Sequence, residues 1–578
     1  MPKIAYAQMK VVAGHPDANT KKILQFIDES RSKGADMVIF PELAVPGRMV
    51  GENFWAQPFL LECISCGKEI IAASKSITVA FGNVHVKDPK DSDSPIYNSI
   101  FFAKNRKLLC EPLCKEWLIL DEEKYFYHSG CPPLPISIKL GRKNYSVGII
   151  MGRYYSRYSA QKDFYINFLA EPFCQSSRYQ KDYGFKYKVN FPIIYVGCVG
   201  IQNTGKTIYT FDGANAVFNS RGEIVQYAEP FADCLNIIEF DEIDEIPALE
   251  IPEVSETEKI YRAISYGVKT FLEQIGMSKV VIGVSGGIDS AVAAAIYTKV
   301  LGAENVVLVN MPSVFNSATT KNLSEQLAKN LGCKYYVVPI QESVDWTVKQ
   351  LEERGIAVSS FVKENIQARD RSSRILAAIA ASIGGGFTCN ANKAESTVGY
   401  ATLYGDEAGF LSALADLWKF QVYNLARYLN EKIFCREVIP QGIIDIVPSA
   451  ELSTAQNVDE GKGDPLKYPY HDYLFRAFAE DNQTPEDILR WYANGELEKN
   501  IGCEVGLVEK YFPTAEDFIA DLERWWKQFN GMGVAKRIQS PPILAVTNSP
   551  YGGRAESQNG VHFTEKYFEL KRKLTGTC

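Results

Sequence analysis

The sequence predicts an α/β protein in two parts: a layered sandwich rich in strands, followed by a doubly wound parallel sheet. Three observations predict this. The N-terminal part strings together short β-rich runs with few helical ones between them. The stretch 241–256, DEIDEIPALEIPEVSE, is acidic, contains prolines and has no clear period. Beyond it, strand and helix alternate regularly. With 578 residues the chain is also too long for a single ordinary core, which calls for two or more domains.

In the first part, Lys3–Gln8 has the composition of a strand, and Asn19–Lys33 has helical spacing with apolar Ile23, Phe26 and Ile27. Met37–Phe40 is a short apolar strand that runs straight into Pro41, Glu42 and Leu43. Further strands fit Ile77–Val84, Asn98–Ala103, Tyr145–Met151, Tyr165–Leu169, Ile193–Cys198 and Ala214–Phe218. After the acidic stretch a helix over Glu258–Ile275 leads to the β-branched run Val280–Val284. A Gly-rich turn at Ser285–Ser290 opens the small-residue helix Ala291–Leu301. Val306–Asn310, Thr320–Leu331 and Lys334–Pro339 then read as strand, helix and strand. This order gives parallel strands with right-handed crossovers, whose ligand belongs at the carboxyl ends of the strands. The expected division is a domain over 1–245, a linker over 246–257 and a second domain over 258–578.

Composition narrows the function classes. Lys+Arg 62 against Asp+Glu 69 leaves a net charge of −7, which argues against a nonspecific nucleic-acid binder. The apolar run Ile375 to Ile383 is too short to span a bilayer, and the N-terminus MPKIAYAQMKVVAG lacks the layout of a signal peptide. Thirteen scattered cysteines then read as reduced thiols of a cytoplasmic protein. Cys63 and Cys66, with Cys110 and Cys114, have paired spacings that a zinc site could use, but buried core thiols explain them better. The five histidines, at 15, 85, 128, 471 and 562, are too dispersed for a metal cluster.

VVIGVSGGIDSAVAAAIY is the most informative stretch. A buried strand ends in Ser285-Gly286-Gly287-Ile288-Asp289-Ser290 and a helix starts at once. Glycines allow a tight turn and close approach of an anion, which the N–H groups of the helix N-terminus then face. Ser285 and Ser290 add hydroxyl donors. Asp289 carries the wrong charge to touch phosphate, so Mg2+ between them is the natural explanation. A Walker loop would need a lysine after its glycines, and none follows here. A second feature is Lys363–Arg371, where Asn365 and Arg369 share a helix face, as do Gln367 and Arg371. An amide beside a guanidinium is a suitable grip for phosphate or carboxylate.

SGGxDS resembles the pyrophosphate loop of the N-type ATP pyrophosphatases, an adenine nucleotide α-hydrolase-like fold. Three later segments resemble the NAD synthetase family within that group: ENIQAR at 364–369; TCNANKAE at 388–395 with GYATLYGD at 399–406; and PSAEL at 448–452. Lys536-Arg537 followed by Ser540-Pro541-Pro542 is similar to its closing segment. The resemblance implies that Gly283, Val284, Ser285, Gly286, Gly287, Ile288, Asp289 and Ser290 cradle ATP phosphates. It implies that Asn390, Lys419 and Ser449 lie near ATP, that Asp289 and Glu395 hold Mg2+, and that Asn365, Arg369, Glu395, Asp406 and Lys536 meet deamido-NAD. Asp289, Glu395 and Lys419 would carry the chemistry. Asn390 and Ala391 stand where the family usually has Thr-Gly.

The N-terminal half resembles the nitrilase-like glutaminase domain, an α/β/β/α sandwich, of two-domain glutamine-dependent NAD synthetases. KIAYAQMKVVAGHPDANTKKI, GADMVIFPELAVPG and FDGANAVFNSRGEIV carry the likeness. Such a domain uses Glu, Lys and a Cys nucleophile. Glu42 matches the first and Lys115 the second. At the nucleophile, the family's ICED falls on Met151-Gly152-Arg153-Tyr154, so that Cys falls on Gly152, Glu on Arg153 and Asp on Tyr154. Glycine has no side chain and forms no thioester. Glu42, Lys115 and Gly152 thus mark a vestigial glutaminase site.

The resulting expectation is ATP-dependent amidation of deamido-NAD to NAD through an acyl-adenylate, releasing AMP and pyrophosphate, with free ammonia as the nitrogen donor. The expected ligands are ATP, Mg2+, deamido-NAD and ammonia. Neither nucleic acid nor membrane is expected as a partner. A homo-oligomer is expected, and a separate protein could supply the ammonia. A catalytically silent scaffold and another adenylating amidotransferase of the same superfamily are the competing readings.

Overall fold

The computed structural model describes residues 1–91, 93–119, 122–152, 162–175, 190–551 and 560–576. The chain folds into two compact units. Unit 1 comprises Met1–Thr204 and Ile208–Val254; unit 2 comprises Gly205–Thr207 and Ser255–Cys578.

Unit 1 is built on two sheets. The first uses β1 (Lys3–Gln8), β2 (Met37–Ile39), β3 (Thr78–Val86), β4 (Ile96–Lys104) and the short edge strands β5 (Lys107–Leu108) and β6 (Leu113–Cys114). The second uses β7 (Ile136–Leu140), β8 (Lys143–Met151), β9 (Phe164–Phe168), β10 (Ile193–Val196), β11 (Ala216–Phe218) and β12 (Ile224–Tyr227). β13 (Cys234–Glu239) returns to pair antiparallel with β1. The centre of each sheet is parallel, β1–β2–β3 in one and β8–β9–β10 in the other.

Alternation along the strands sets the layers. Ile4, Tyr6, Met37, Ile39, Ile100 and Phe102 of the first sheet pack against Val147, Ile149, Met151, Phe164, Ile166 and Phe168 of the second. The intervening residues Ala5, Ala7, Val38, Val79 and Phe81 face the other way. They pack on Ile23, Phe26 and Ile27 of α1 (Pro16–Ser32) and on Cys66 and Ile70 of α2 (Gln57–Ala73). Cys63 and Cys66 lie on this helix in two different apolar clusters. Among the described residues no group of three or more His, Cys, Asp or Glu is arranged to hold a metal ion.

Unit 2 opens with α3 (Glu256–Gln274), capped by Ser255, whose hydroxyl accepts from the Glu258 N–H at 3.1 Å. Its sheet contains β14 (Val280–Gly283), β15 (Val306–Asn310), β16 (Lys334–Val337) and β17 (Gly386–Phe387). Every pairing is parallel, in the order β16-β15-β14-β17. Strand order reverses beside β14, so the crevice at its carboxyl end is the natural ligand position of a doubly wound sheet. Around the sheet lie α4 (Ile288–Leu301), α5 (Ala318–Leu331), α6 (Gln341–Glu352) and α7 (Ser360–Arg369). A π-helical segment (Asp370–Leu376) and α8 (Ala377–Ile383) follow, then α9 (Lys393–Val398) and α10 (Lys419–Tyr428). α4 starts three residues earlier than its small-residue run suggests, because Gly287 is its N-cap and Ile288–Ser290 form the first turn. A helical layer over α11 (Tyr468–Ala479), α12 (Ala515–Asn530) and α13 (Met532–Gln539) closes the unit around Trp418, Phe475, Phe478 and Trp525. Among the described residues no helix is long and apolar enough to cross a membrane.

Candidate functional site

A cavity of about 590 Å3 opens at the carboxyl end of β14 in unit 2. Every residue of Gly283–Ser290 lines it. Gly286 has φ +88°, and a Cβ there would lie 2.4 Å from the Thr320 carbonyl, so only glycine fits this turn. The Ser285 hydroxyl accepts from the Gly287 N–H at 3.2 Å, and the Ser290 hydroxyl donates to the Gly287 carbonyl at 3.0 Å. Asn310, at the end of β15, donates to the Val284 carbonyl at 2.7 Å. The loop is thereby fixed from both sides, with the N-terminus of α4 behind it.

Asp289, Glu395 and Lys419 meet at the cavity wall. Lys419 Nζ lies 2.6 Å from Asp289 Oδ2 and 3.6 Å from Glu395 Oε1. Asp289 Oδ1 also accepts from Asn392 Nδ2 at 3.1 Å. Asn392 is the N-cap of α9, and its capping box with Glu395 orients the carboxylate three residues on. Tyr468 OH donates to Glu395 Oε1 at 3.1 Å. Burial, with the Asp289 charge next, pushes the Glu395 carboxyl up to about 8 even though Lys419 opposes them. Burial pulls Lys419 down, but Asp289 and Glu395 outweigh it and hold the ammonium above its ordinary value. Two carboxylates facing a cavity beside a phosphate-loop geometry form a hard-oxygen donor set that fits Mg2+, which typically takes one or two carboxylates together with substrate phosphates.

The other predicted residues divide. Asn365, Asn390, Asp406, Ser449 and Lys536 line the same cavity. Asn390 Nδ2 donates to the Gly283 carbonyl at 3.2 Å, and Ser449 Oγ donates to the Gln456 carbonyl at 2.6 Å. Lys536 donates to the Gly399 carbonyl at 2.7 Å. Burial lowers the Lys536 pKa against the pull of Asp406 and Glu407. Burial raises Asp406, although it accepts from the Thr402 N–H at 2.7 Å. Arg369 is not among the lining residues; its Nε donates to the Leu403 carbonyl at 3.1 Å. The wall instead takes Ala368, Arg371, Ser372 and Leu376, as the chain passes from α7 into the π-helical segment. Tyr400, within the GYATLYGD stretch, also lines the cavity, although no role was expected of it; sequence reasoning passed over Asp464 and Tyr423, which line the cavity from segments without a recognisable spacing. Asn392 was legible, since Asn followed three residues later by Glu is a capping signal.

In unit 1 a second cluster forms at the end of β2. Gly82 lets the loop after β2 lie directly over β3: a Cβ there would fall 2.3 Å from the Leu43 N. This seats Glu42, whose Oε1 accepts from Lys115 Nζ at 2.6 Å and from Asn98 Nδ2 at 2.6 Å. Lys115 reaches Glu122 Oε1 as well, at 2.9 Å. Burial pushes Glu122 up, but Lys115 and Arg48 outweigh it and leave the carboxyl below its ordinary value. Gly152, at the end of β8, has φ +81°, and a Cβ built on it would lie 3.6 Å from Lys115 Nζ. Arg153 and Tyr154 lie outside the described residues. Cys198 is buried within electrostatic reach of Glu42 and Arg48, and burial pushes its thiol up to about 12.

The sheets, the Gly-rich loop and the two clusters describe a chain that joins a unit of two facing sheets flanked by helices to a unit built on a doubly wound parallel sheet. Residues 260–502 match the NAD synthase family, and residues 3–114 match the carbon-nitrogen hydrolase family. The chain is 29% identical over 590 aligned residues to the glutamine-dependent NAD(+) synthetase of Synechocystis sp., covering 95% of this chain and 97% of that protein. The solved glutamine-dependent NAD+ synthetase from Acinetobacter baumannii, in complex with ADP, matches 97% of this chain and 99% of its own at 24% identity, with a TM-score of 0.69. The glutamine-dependent NAD(+) synthetase from Cytophaga hutchinsonii matches 99% of each chain at 16% identity, with a TM-score of 0.78. At these identities the two structures establish the fold. The chain thus has the two-domain build of the glutamine-dependent NAD(+) synthetases, a nitrilase-like domain followed by an NAD synthase domain.

Proposed function

We propose that the chain amidates deamido-NAD to NAD with ATP, taking free ammonia as the nitrogen donor. The observation that carries the first half is the convergence of Asp289, Glu395 and Lys419 on a cavity lined throughout by Gly283–Ser290. In this reading the nicotinate carboxylate attacks the α-phosphorus of ATP and pyrophosphate leaves. Ammonia then attacks the acyl carbon of the adenylate, AMP leaves, and the amine loses its surplus proton to solvent. Neither step needs a covalent enzyme nucleophile. The loop N–H groups and hydroxyls hold the triphosphate, and Lys419 neutralises charge beside it. Asn390 and Ser449 face ATP, while Asn365, Asp406 and Lys536 face the dinucleotide. Asp289 and Glu395 would hold Mg2+, which supplies neutralisation of the phosphates.

The donor assignment rests on position 152. Gly152 stands beside Lys115 in a cluster that otherwise contains the Glu and Lys of an amide-hydrolysing site. Cys198, a nearby thiol, is held protonated far above neutral pH. Residues 1–245 are then a glutaminase fold without glutaminase chemistry, 246–257 a linker and 258–578 the synthetase, acting on small molecules in the cytoplasm as a homo-oligomer. A side-by-side assay of AMP release with ammonium and with glutamine tests both halves. Turnover with ammonium alone is expected. Glutamine-driven turnover at a comparable rate would overturn the donor assignment, and no AMP with either donor would overturn the synthetase reading.

A further inference from the structure

We propose that Arg371 is a substrate-binding residue that takes an oxyanion, phosphate or carboxylate, of a nucleotide in the unit 2 cavity. This rests on the reading of that cavity as a nucleotide site and names one of its contacts. Arg371 lies in the π-helical segment after α7 and lines the cavity. Its Nε donates to the Met311 carbonyl at 3.1 Å, and one amino group donates to Asn316 Oδ1 at 3.1 Å. The other amino group has no hydrogen-bond partner, and the guanidinium forms no ion pair, among the described residues. Both of its acceptors are neutral. A partly buried cation whose hydrogen-bond acceptors are neutral, which carboxylates reach only through their field, and whose donor edge is open has capacity for an anion. A planar guanidinium fixed at two corners and open at the third suits an oxyanion.

The residues that fix Arg371 are themselves held. Asn316 Nδ2 donates to Glu451 Oε2 at 3.1 Å, and the Glu451 carboxylate also accepts from the Ser317 N–H at 3.1 Å and from Thr320 Oγ1 at 2.7 Å. Glu451 is buried at φ +46°, a left-handed conformation that a non-glycine residue keeps only when its surroundings hold it there. Thr320 is the residue whose carbonyl Gly286 packs against. A chain of contacts therefore ties the guanidinium to the phosphate loop. Burial pulls Arg371 down to about 10, opposed by Asp406, Glu451 and Asp370, so it remains charged at neutral pH. Lys419, which reaches the loop at Asp289, is already engaged by that carboxylate.

Calorimetric titration of the full chain with pyrophosphate, adenosine, ATP and deamido-NAD tests this, using wild type, Arg371→Gln and Arg371→Lys. Arg371→Gln is expected to weaken at least one anionic ligand roughly ten- to a hundredfold and to leave adenosine unchanged, with Arg371→Lys recovering part of the loss. A loss confined to ATP and pyrophosphate assigns the oxyanion to the triphosphate, and a loss confined to deamido-NAD assigns it to the dinucleotide. Arg371→Lys guards against misfolding in the Gln variant, because it keeps the charge and must bind within a few-fold of the wild type or lie between the other two. Anion affinities unchanged in Arg371→Gln, in a protein that still makes NAD, would overturn this inference and leave the synthetase reading standing. Wild-type ATP binding that depends on Arg371 without any NAD formation would overturn the synthetase reading alone.

Discussion

Two lysines, one in each unit, bridge a pair of carboxylates with similar geometry and opposite consequences. Lys115 lies 2.6 Å from Glu42 and 2.9 Å from Glu122, and both carboxylates are 2% exposed. Lys419 lies 2.6 Å from Asp289 and 3.6 Å from Glu395, and both carboxylates are 18% exposed toward a cavity. In the closed cluster the ammonium wins: Glu122 is held below its ordinary pKa. In the open cluster it does not: burial and Asp289 keep Glu395 near 8. A triad that satisfies itself is a piece of structure. One that leaves a carboxylate short of positive charge is prepared for a further cation or for a ligand that changes the balance.

The sharpest way to break this comparison is to remove the open cluster's first carboxylate. Asp289→Asn is expected to lower ammonium-driven AMP formation by about 10²–10³-fold, the usual cost of losing a preorganised electrostatic group. Equal turnover in the variant would reduce the Asp289–Lys419 pair to structure, like its counterpart. The loop behind it is nearly as sensitive. Gly286→Ala would force a Cβ against the Thr320 carbonyl at 2.4 Å from a left-handed φ. ATP affinity measured by calorimetry should fall about tenfold or more, through a strain of about 1–3 kcal/mol, while adding ammonium restores nothing.

How much of this was legible in the sequence depends on whether a contact is local. The Gly-rich turn between β14 and α4 was readable because its spacing is dictated by one turn and one helix start. The parallel sheet was readable from the alternation of β-branched runs with helices. The two-residue strands β5 and β6 are too short to carry a period. Arg369 and Arg371 lie on different faces of the same helical stretch, and only contacts distant in sequence, the carbonyl of Met311 and the side chain of Asn316, decide which guanidinium turns to the cavity. Tyr468 reaches Glu395 across 73 residues of sequence, a distance over which no pattern speaks. Glu122 meets Lys115 through a loop outside any regular element, which carries no period to single it out.

The closed cluster can be tested by stability. Lys115→Met would leave Glu42 and Glu122 buried together without their bridging ammonium, with Arg48 acting on Glu122 only through its field, a loss of about 3–5 kcal/mol, read as an earlier urea transition. The pH dependence adds a sign. Glu122 has a folded pKa below its unfolded one, so its contribution is full above the unfolded value of about 4.3 and is lost as pH falls through the folded value. In Lys115→Met burial prevails and the folded pKa rises above the unfolded one, so acidification should stabilise the variant where it destabilises the wild type. Melting temperatures that fall together on acidification would show that Lys115 is not what sets the Glu122 charge.

The smallest effect is expected at Asn390, where the related family usually has threonine. Its amide bridges two elements, accepting from Thr388 Oγ1 at 2.9 Å and donating to the Gly283 carbonyl at 3.2 Å. A threonine hydroxyl could replace one of these bonds but is too short to make both, so Asn390→Thr forfeits one neutral hydrogen bond, about 0.5–1.5 kcal/mol. The bond lost lies at the strand end that supports the phosphate loop, so the change should appear as a few-fold rise in KM for ATP with kcat held. A selective fall in kcat would move Asn390 from the open cluster's wall into its chemistry.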